Sequence, residues 1–177
     1  KKEIENLCDI KNIRLLVNTH YHFDHTGGNK KFQDWLKLQT AAHSSDKKSI
    51  ETGQTLSELF GQKSRIMTVN KTLRTGALIK TTNFVFEVIQ TPGHTPGSIC
   101  LYEKSKKILI SGDTLFENTV GRTDLPGGDR DQLINSLKAL SQLQIEYLLP
   151  GHGSPKKDGM NFLIKQMINF LSESKKI

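Results

Sequence analysis

Hydrophobic and polar positions recur along the chain with two different spacings, and each change of spacing marks an element. Residues 1–8 have helical character and lead to "IRLLVN" (13–18), a short apolar run of β type. "GNKKFQDWLKL" (28–38) then reads as a helix, with Phe32, Trp35 and Leu36 on its packing side. "SSDKKSIETGQTLSELFG" opens on capping residues and stops at Gly61, which predicts another helix. The middle of the chain is β-rich: "RIMTV" (65–69), "GALIK" (76–80), "FVFEVIQ" (84–90), "SICLYE" (98–103) and "KILISG" (107–112) all read as strands. "TTN", "TPGHTPG" and "KSKK" mark turns between them. A helix at about 129–142 follows Gly127–Gly128, with Asp129 as N-cap. A strand "EYLLP" (146–150), a "GHGSP" turn and a helix at about 159–173 complete the pattern. Irregular alternation of this kind implies an α+β fold, with layered sheets and helices outside.

Length and charge narrow the picture. The 177 residues fit one domain spanning 1–177. No window approaches the ~18 unbroken apolar residues of a membrane span, and "KKEIENLCDI" is too polar for a leader. Cys8 and Cys100 are the two thiols, at a spacing that suggests structural residues in a reducing cytoplasm. The net charge of +7 comes from lysines in scattered pairs, without a basic stripe or interleaved aromatics. That argues against nucleic acid and for attraction of small anionic substrates. Oligomeric state leaves no signal.

The chemistry gathers on histidine. "NTHYHFDHTGG" (18–28) packs His20, His22, Asp24 and His25 together directly after a strand. His94 in "TPGHTPGS" and His152 in "PGHGSP" also follow strands, whereas His43 in "AAHSSD" reads as a surface or supporting residue. Imidazole nitrogen and carboxylate oxygen are the donors that zinc, iron and manganese take. In extended "HYH", His20 and His22 point the same way; Asp24 and His25 follow a bend and can face a second ion. Asp113 in "SGDTLF" lies just past an apolar strand, where a lone charge is costly. It either caps the turn before Thr114 or bridges two cations, and the five histidines favour the bridge.

These four ordered blocks, HYHFDH, TPGHTPGS, SGDTLF and PGHG, resemble the metallo-β-lactamase superfamily over residues 18–153. The resemblance implies an αββα sandwich with a two-metal site at one edge. It implies that His20, His22 and His94 hold the first ion, that Asp24, His25 and His152 hold the second, and that Asp113 bridges them. It also implies strands before the first helix; none is legible there, so the sandwich is expected without its N-terminal strands. "GDTLF…GRTDLPGGD" (112–129) is similar to small glyoxalase II-type hydrolases. In those relatives a cation near Arg122 contacts glutathione; the alternative is that Arg122 pairs with Asp124 or Asp129.

The expected reaction is hydrolysis of a thioester such as an acyl-glutathione. Two divalent ions, zinc or else iron or manganese, lower the pKa of a water whose hydroxide attacks the carbonyl. Asp24 orients the water and Asp113 spaces the ions. Three rivals stand beside it: a persulfide dioxygenase with one iron on His20, His94 and Asp113; a non-catalytic metal-binding module; and a lactone or phosphodiester hydrolase on the same fold. Tyr102 and Trp35 read as structural, and Gly127–Gly128 as a tight turn.

Overall fold

The computed structural model describes residues 1–63 and 65–173. A short helix α1 (Lys2–Leu7) leads into strand β1 (Leu15–Val17). A single helical turn α2 (Phe23–Thr26), helix α3 (Asn29–Leu36), strand β2 (Gln39–His43) and helix α4 (Ser44–Thr52) follow. Strands β3 (Lys71–Leu73), β4 (Leu78–Lys80), β5 (Val85–Gln90), β6 (Ile99–Glu103) and β7 (Ile108–Gly112) occupy the middle of the chain. Helix α5 (Arg130–Leu140), strand β8 (Tyr147–Pro150), the two-residue strand β9 (Lys156–Lys157) and helix α6 (Met160–Glu173) complete it. Among the described residues no helix is long and apolar enough to cross a membrane.

Two sheets form. β1, β2 and β3 pair in parallel in that order, and β4 to β9 make a mixed six-stranded sheet in sequence order. Side chains alternate across each strand, so one strand feeds two layers. On β6, Ile99 and Leu101 face the first sheet, where they meet Ala41 and Leu73 along with Val88 of β5. Cys100 and Tyr102 face the other way, against Leu133, Leu137 and Leu140 of α5 and Met160 and Ile164 of α6. The outer face of the first sheet packs Ala42 against Ile50 of α4, with Tyr21, Met67 and Val69. The layers therefore run helix, sheet, sheet, helix, the α+β sandwich that the resemblance implies. Each fully buried leucine or isoleucine contributes roughly 1.5–3 kcal/mol. Asp129 caps α5 by accepting from the backbone N–H of Gln132, worth about 1 kcal/mol.

Three elements differ from the sequence pattern. "RIMTV" makes no ladder, and pairing starts only at Lys71. Side chains bind its backbone instead: Gln33 Nε2 donates to Thr68 O, and Val69 N donates to Glu51 Oε1. The helix from Ser44 ends at Thr52, where Gly53 turns left-handed at φ 74, and a 3-10 turn forms at Ser57–Phe60. "QTAAH" carries no β signature, yet it is the central strand of the first sheet. Ala41 and Ala42 are fully buried there, small enough to let sheet and helix approach closely.

Direction decides where the site lies. β5 and β7 are both antiparallel to β6, and β8 is parallel to β7, so β5, β7 and β8 run the same way. Their C-terminal ends share one edge, and Thr19 O, just beyond β1, accepts from Ile99 N beside that edge.

Candidate metal centre

Each chemical side chain follows one of those strand ends. β1 delivers His20 and His22, β5 delivers His94, β7 delivers Asp113 and β8 delivers His152. His22 is still extended, at ψ 150, and serves as N-cap of α2. Asp24 and His25 therefore sit on a helical turn, where a bend was expected. Asn18 holds this turn by donating Nδ2 to His25 O at 3.0 Å, and it accepts in turn from Asn29 Nδ2 at 2.5 Å.

All seven metal-type residues singled out in the sequence converge. The donor atoms of His20, His22 and His94 lie within 4.8 Å of one another, as do those of Asp24, His25 and His152, and those of His20, His25 and Asp113. Asp113 Oδ1 is 3.2 Å from His25 Nε2, and its Oδ2 is 3.7 Å from His94 Nε2 and 3.5 Å from His152 Nε2. It thus touches both groups. It does not cap the turn: Thr114 N donates to Ser111 O. Gly151 permits this crowding, because a Cβ there would lie 2.2 Å from Asp113 Oδ1.

The first trio is buried and unpartnered. The Nε2 atoms of His20, His22 and His94 have no hydrogen-bond partner. A buried polar atom left alone costs roughly 1–3 kcal/mol, which a bound cation offsets. On His94, Nδ1 lies 2.7 Å from Arg122 O; a carbonyl only accepts, so Nδ1 carries the proton and Nε2 keeps its lone pair for a ligand. Burial pulls all three imidazoles below their ordinary pKa, His22 to about 4, so they are neutral and donor-ready. Burial pushes the Asp113 carboxyl up, but His25, His94 and His152 together hold it below the usual carboxylate range. The set suits divalent cations by donor type and by its orphaned nitrogens.

The second group faces solvent. His152 Nε2 lies 3.0 Å from Asp24 Oδ2 and 3.1 Å from His25 Nε2, with the His152 side chain 55% exposed.

One supporting residue escaped the sequence reading. Asp46, in the first turn of α4, is buried and accepts from Tyr21 N at 2.9 Å, Gly97 N at 2.7 Å and Thr95 Oγ1 at 2.7 Å. It ties the His20–His22 loop to the His94 loop. Burial pushes its carboxyl up to about 6 against the pull of those three donors. The signal available was a lone acid after "AAHSS", which looks like any helix-starting acid. His43 is buried rather than on the surface, and its Nδ1 accepts from Ser45 N as N-cap of α4.

Arg122 lines the cavity beside the centre but is engaged. Its Nε and Nη2 donate to the two oxygens of Asp124 at 2.7 and 2.5 Å, and this pairing holds the Asp124 carboxyl down at about 2. Tyr102 is buried and donates to Gln144 O. Trp35 is only half-buried, against Phe32 and under Lys1. Gly127 and Gly128 form a tight turn closed by Gly128 N on Leu125 O, and Cys100 is buried with its thiol pushed up to about 11.

The sequence profile of the metallo-β-lactamase superfamily matches residues 3–152. A probable metallo-hydrolase of Methanocaldococcus jannaschii is 39% identical over 158 residues, covering 81% of this chain and 71% of that protein. The hydroxyacylglutathione hydrolase GloC of Haemophilus influenzae is 32% identical over 152 residues, covering 81% and 70%. A protein solved in a di-iron-bound form superposes with a TM-score of 0.77 at 32% identity, over 91% of this chain and 81% of its own. The chain belongs to the metallo-β-lactamase superfamily, a group made up mostly of metal-dependent hydrolases.

Proposed function

We propose that the protein hydrolyses thioesters of the acyl-glutathione type at a two-metal site. His20, His22 and His94 would hold one ion, Asp24, His25 and His152 the other, and Asp113 would lie between them. The observation that carries this reading is the set of three buried, unpartnered imidazole nitrogens beside a second, solvent-facing group of donors. When bound, two divalent ions, zinc by our reading, supply Lewis-acid activation of water and of the carbonyl. The chain's own residues do the rest. The neutral buried imidazoles need no deprotonation before binding a cation. Asp24, exposed at the mouth, is placed to accept a proton from water, while Asp113 couples the two groups. A thiolate leaves without a strong general acid, so the reaction asks for none from the site. The kinship to a hydroxyacylglutathione hydrolase supports the thioester, and the second donor group favours two ions over the single iron of a dioxygenase.

The test is metal content, measured by mass spectrometry on protein purified without chelator, followed by a thioester assay. Close to two ions per chain together with thioester cleavage is the expected result. One iron per chain with oxygen uptake on persulfide would replace this reading by the dioxygenase, and negligible metal would leave a non-catalytic module.

A further inference from the structure

The cavity over the centre, about 350 Å³, has two unlike parts. Its floor is His22, Asp24, His94 and Asp113, and its walls are Phe23, Leu56, Phe60, Phe116, Val120 and Leu125. We infer that these walls receive the acyl group of the substrate and that this group is apolar, an alkyl or aryl chain on the reacting carbonyl. The inference rests on the thioesterase reading above.

Three observations carry it. First, Leu56 sits at φ 61, a left-handed conformation that a leucine adopts only at a cost of order 1–2 kcal/mol. The surroundings impose it: Phe23 N donates to Thr55 O, Leu59 N to Leu56 O, and Leu56 packs against the cluster of Tyr21, Ile50 and Met67. The strained backbone sets an apolar side chain beside the centre. Second, Phe60 stacks obliquely on Phe23, ring centroids 5.0 Å apart, although it is 49% exposed, and Leu59 beside it is 63% exposed. This lip is continuous with the metal-type residues, since Phe23 stands between His22 and Asp24. Third, the lone cation among the lining residues, Arg122, is already saturated on one side by Asp124. A carboxylate on the acyl chain would have to compete with Asp124 for that guanidinium, and among the apolar walls themselves its desolvation would go uncompensated. Cavities of this size and lining commonly hold small, largely apolar ligands.

The experiment uses the metal-loaded protein and thioesters of one thiol, N-acetylcysteamine, with acetyl, butyryl, hexanoyl, benzoyl and succinyl groups. We expect kcat/KM to rise about fourfold per added methylene from acetyl to hexanoyl, the gain from burying each one. Succinyl should be poorer than butyryl despite its similar length. The Leu56→Gly variant relaxes the backbone and removes part of the wall, but it also loses packing on Tyr21, Ile50 and Met67, so it should melt somewhat lower than the parent while staying folded. It should narrow the hexanoyl-to-acetyl ratio about tenfold. A flat chain-length profile, a preference for succinyl, or an unchanged ratio in Leu56→Gly would overturn the inference while leaving the thioesterase reading intact. So would a hexanoyl series whose rates follow the thiol (glutathione, coenzyme A or N-acetylcysteamine) while the acyl length has no effect. Cleavage of none of these thioesters by protein carrying its metal would instead overturn the thioesterase reading itself, and the inference with it.

Discussion

The two halves of the candidate centre are built from similar side chains and behave differently. His20, His22 and His94 are buried, neutral and fixed by neighbours that leave one nitrogen of each without a partner. Asp24, His25 and His152 stand at the mouth and already satisfy one another through contacts of 3.0 to 3.6 Å. The first half is preorganised, with one nitrogen of each imidazole left without a protein partner. The second half must give up its mutual contacts before it binds. On our reading burial, more than donor chemistry, ranks the two groups, and the inner one is expected to be the tighter.

The largest expected effect tests that ranking. His22→Ala should weaken the tighter of two zinc-binding steps by at least about 100-fold, beyond what loss of a merely supporting partner costs. His152→Ala should chiefly weaken the looser step, and equal losses in a chelator-competition titration would break the comparison. Next is Asp46→Ala, which frees the loops carrying His20, His22 and His94 and strands Tyr21 N and Gly97 N. We expect zinc affinity of the inner step to fall about 10- to 100-fold, with a lower melting temperature in the metal-free protein. Asp46→Asn, which keeps an acceptor, should recover part of both.

Acid should separate the halves further. The buried imidazoles have folded pKa values below the ordinary 6.5, so below that pH the unfolded chain binds more protons than the folded one. Their contribution is complete above pH 6.5 and is lost as pH falls toward about 4, the value for His22. Asp46 works in the opposite sense: its carboxyl, raised from 3.8 to about 6, favours folding below 3.8 and loses that contribution as pH rises to 6. Three imidazoles outweigh one carboxyl, so denaturant midpoints of metal-free protein should drop between pH 6.5 and 4. A midpoint that holds or rises over this range would show that burial does not govern the inner half. The smallest effect belongs to Arg122→Ala. Because Asp124 already occupies the guanidinium, KM for a glutathione thioester should change by less than about threefold; a larger loss would make Arg122 a true substrate contact.

Much of this was legible in the sequence, for identifiable reasons. The strands of the second sheet carry β-branched and aromatic residues between strong turn signals, so their pattern survives without tertiary help. The metal-type residues stood out because histidines directly after apolar strands have few other uses. Where the pattern failed, contacts distant in sequence decided. "QTAAH" is a central strand only because β1 and β3 flank it, and "RIMTV" lacks a ladder only because Gln33 and Glu51 bind its backbone.

By itself the sequence determined the donor types, their order, and the strand ends from which they project, since these depend on local periodicity and residue chemistry. Only the tertiary structure decided which donors are buried, that Asp46 braces two loops, that Arg122 is engaged by Asp124, and that an apolar wall rises beside the centre. Each of those depends on which segments meet across the sheet edge. Burial and pairing are properties of that meeting, set by packing between residues more than a hundred positions apart, as Tyr21 Oη on Pro126 O illustrates.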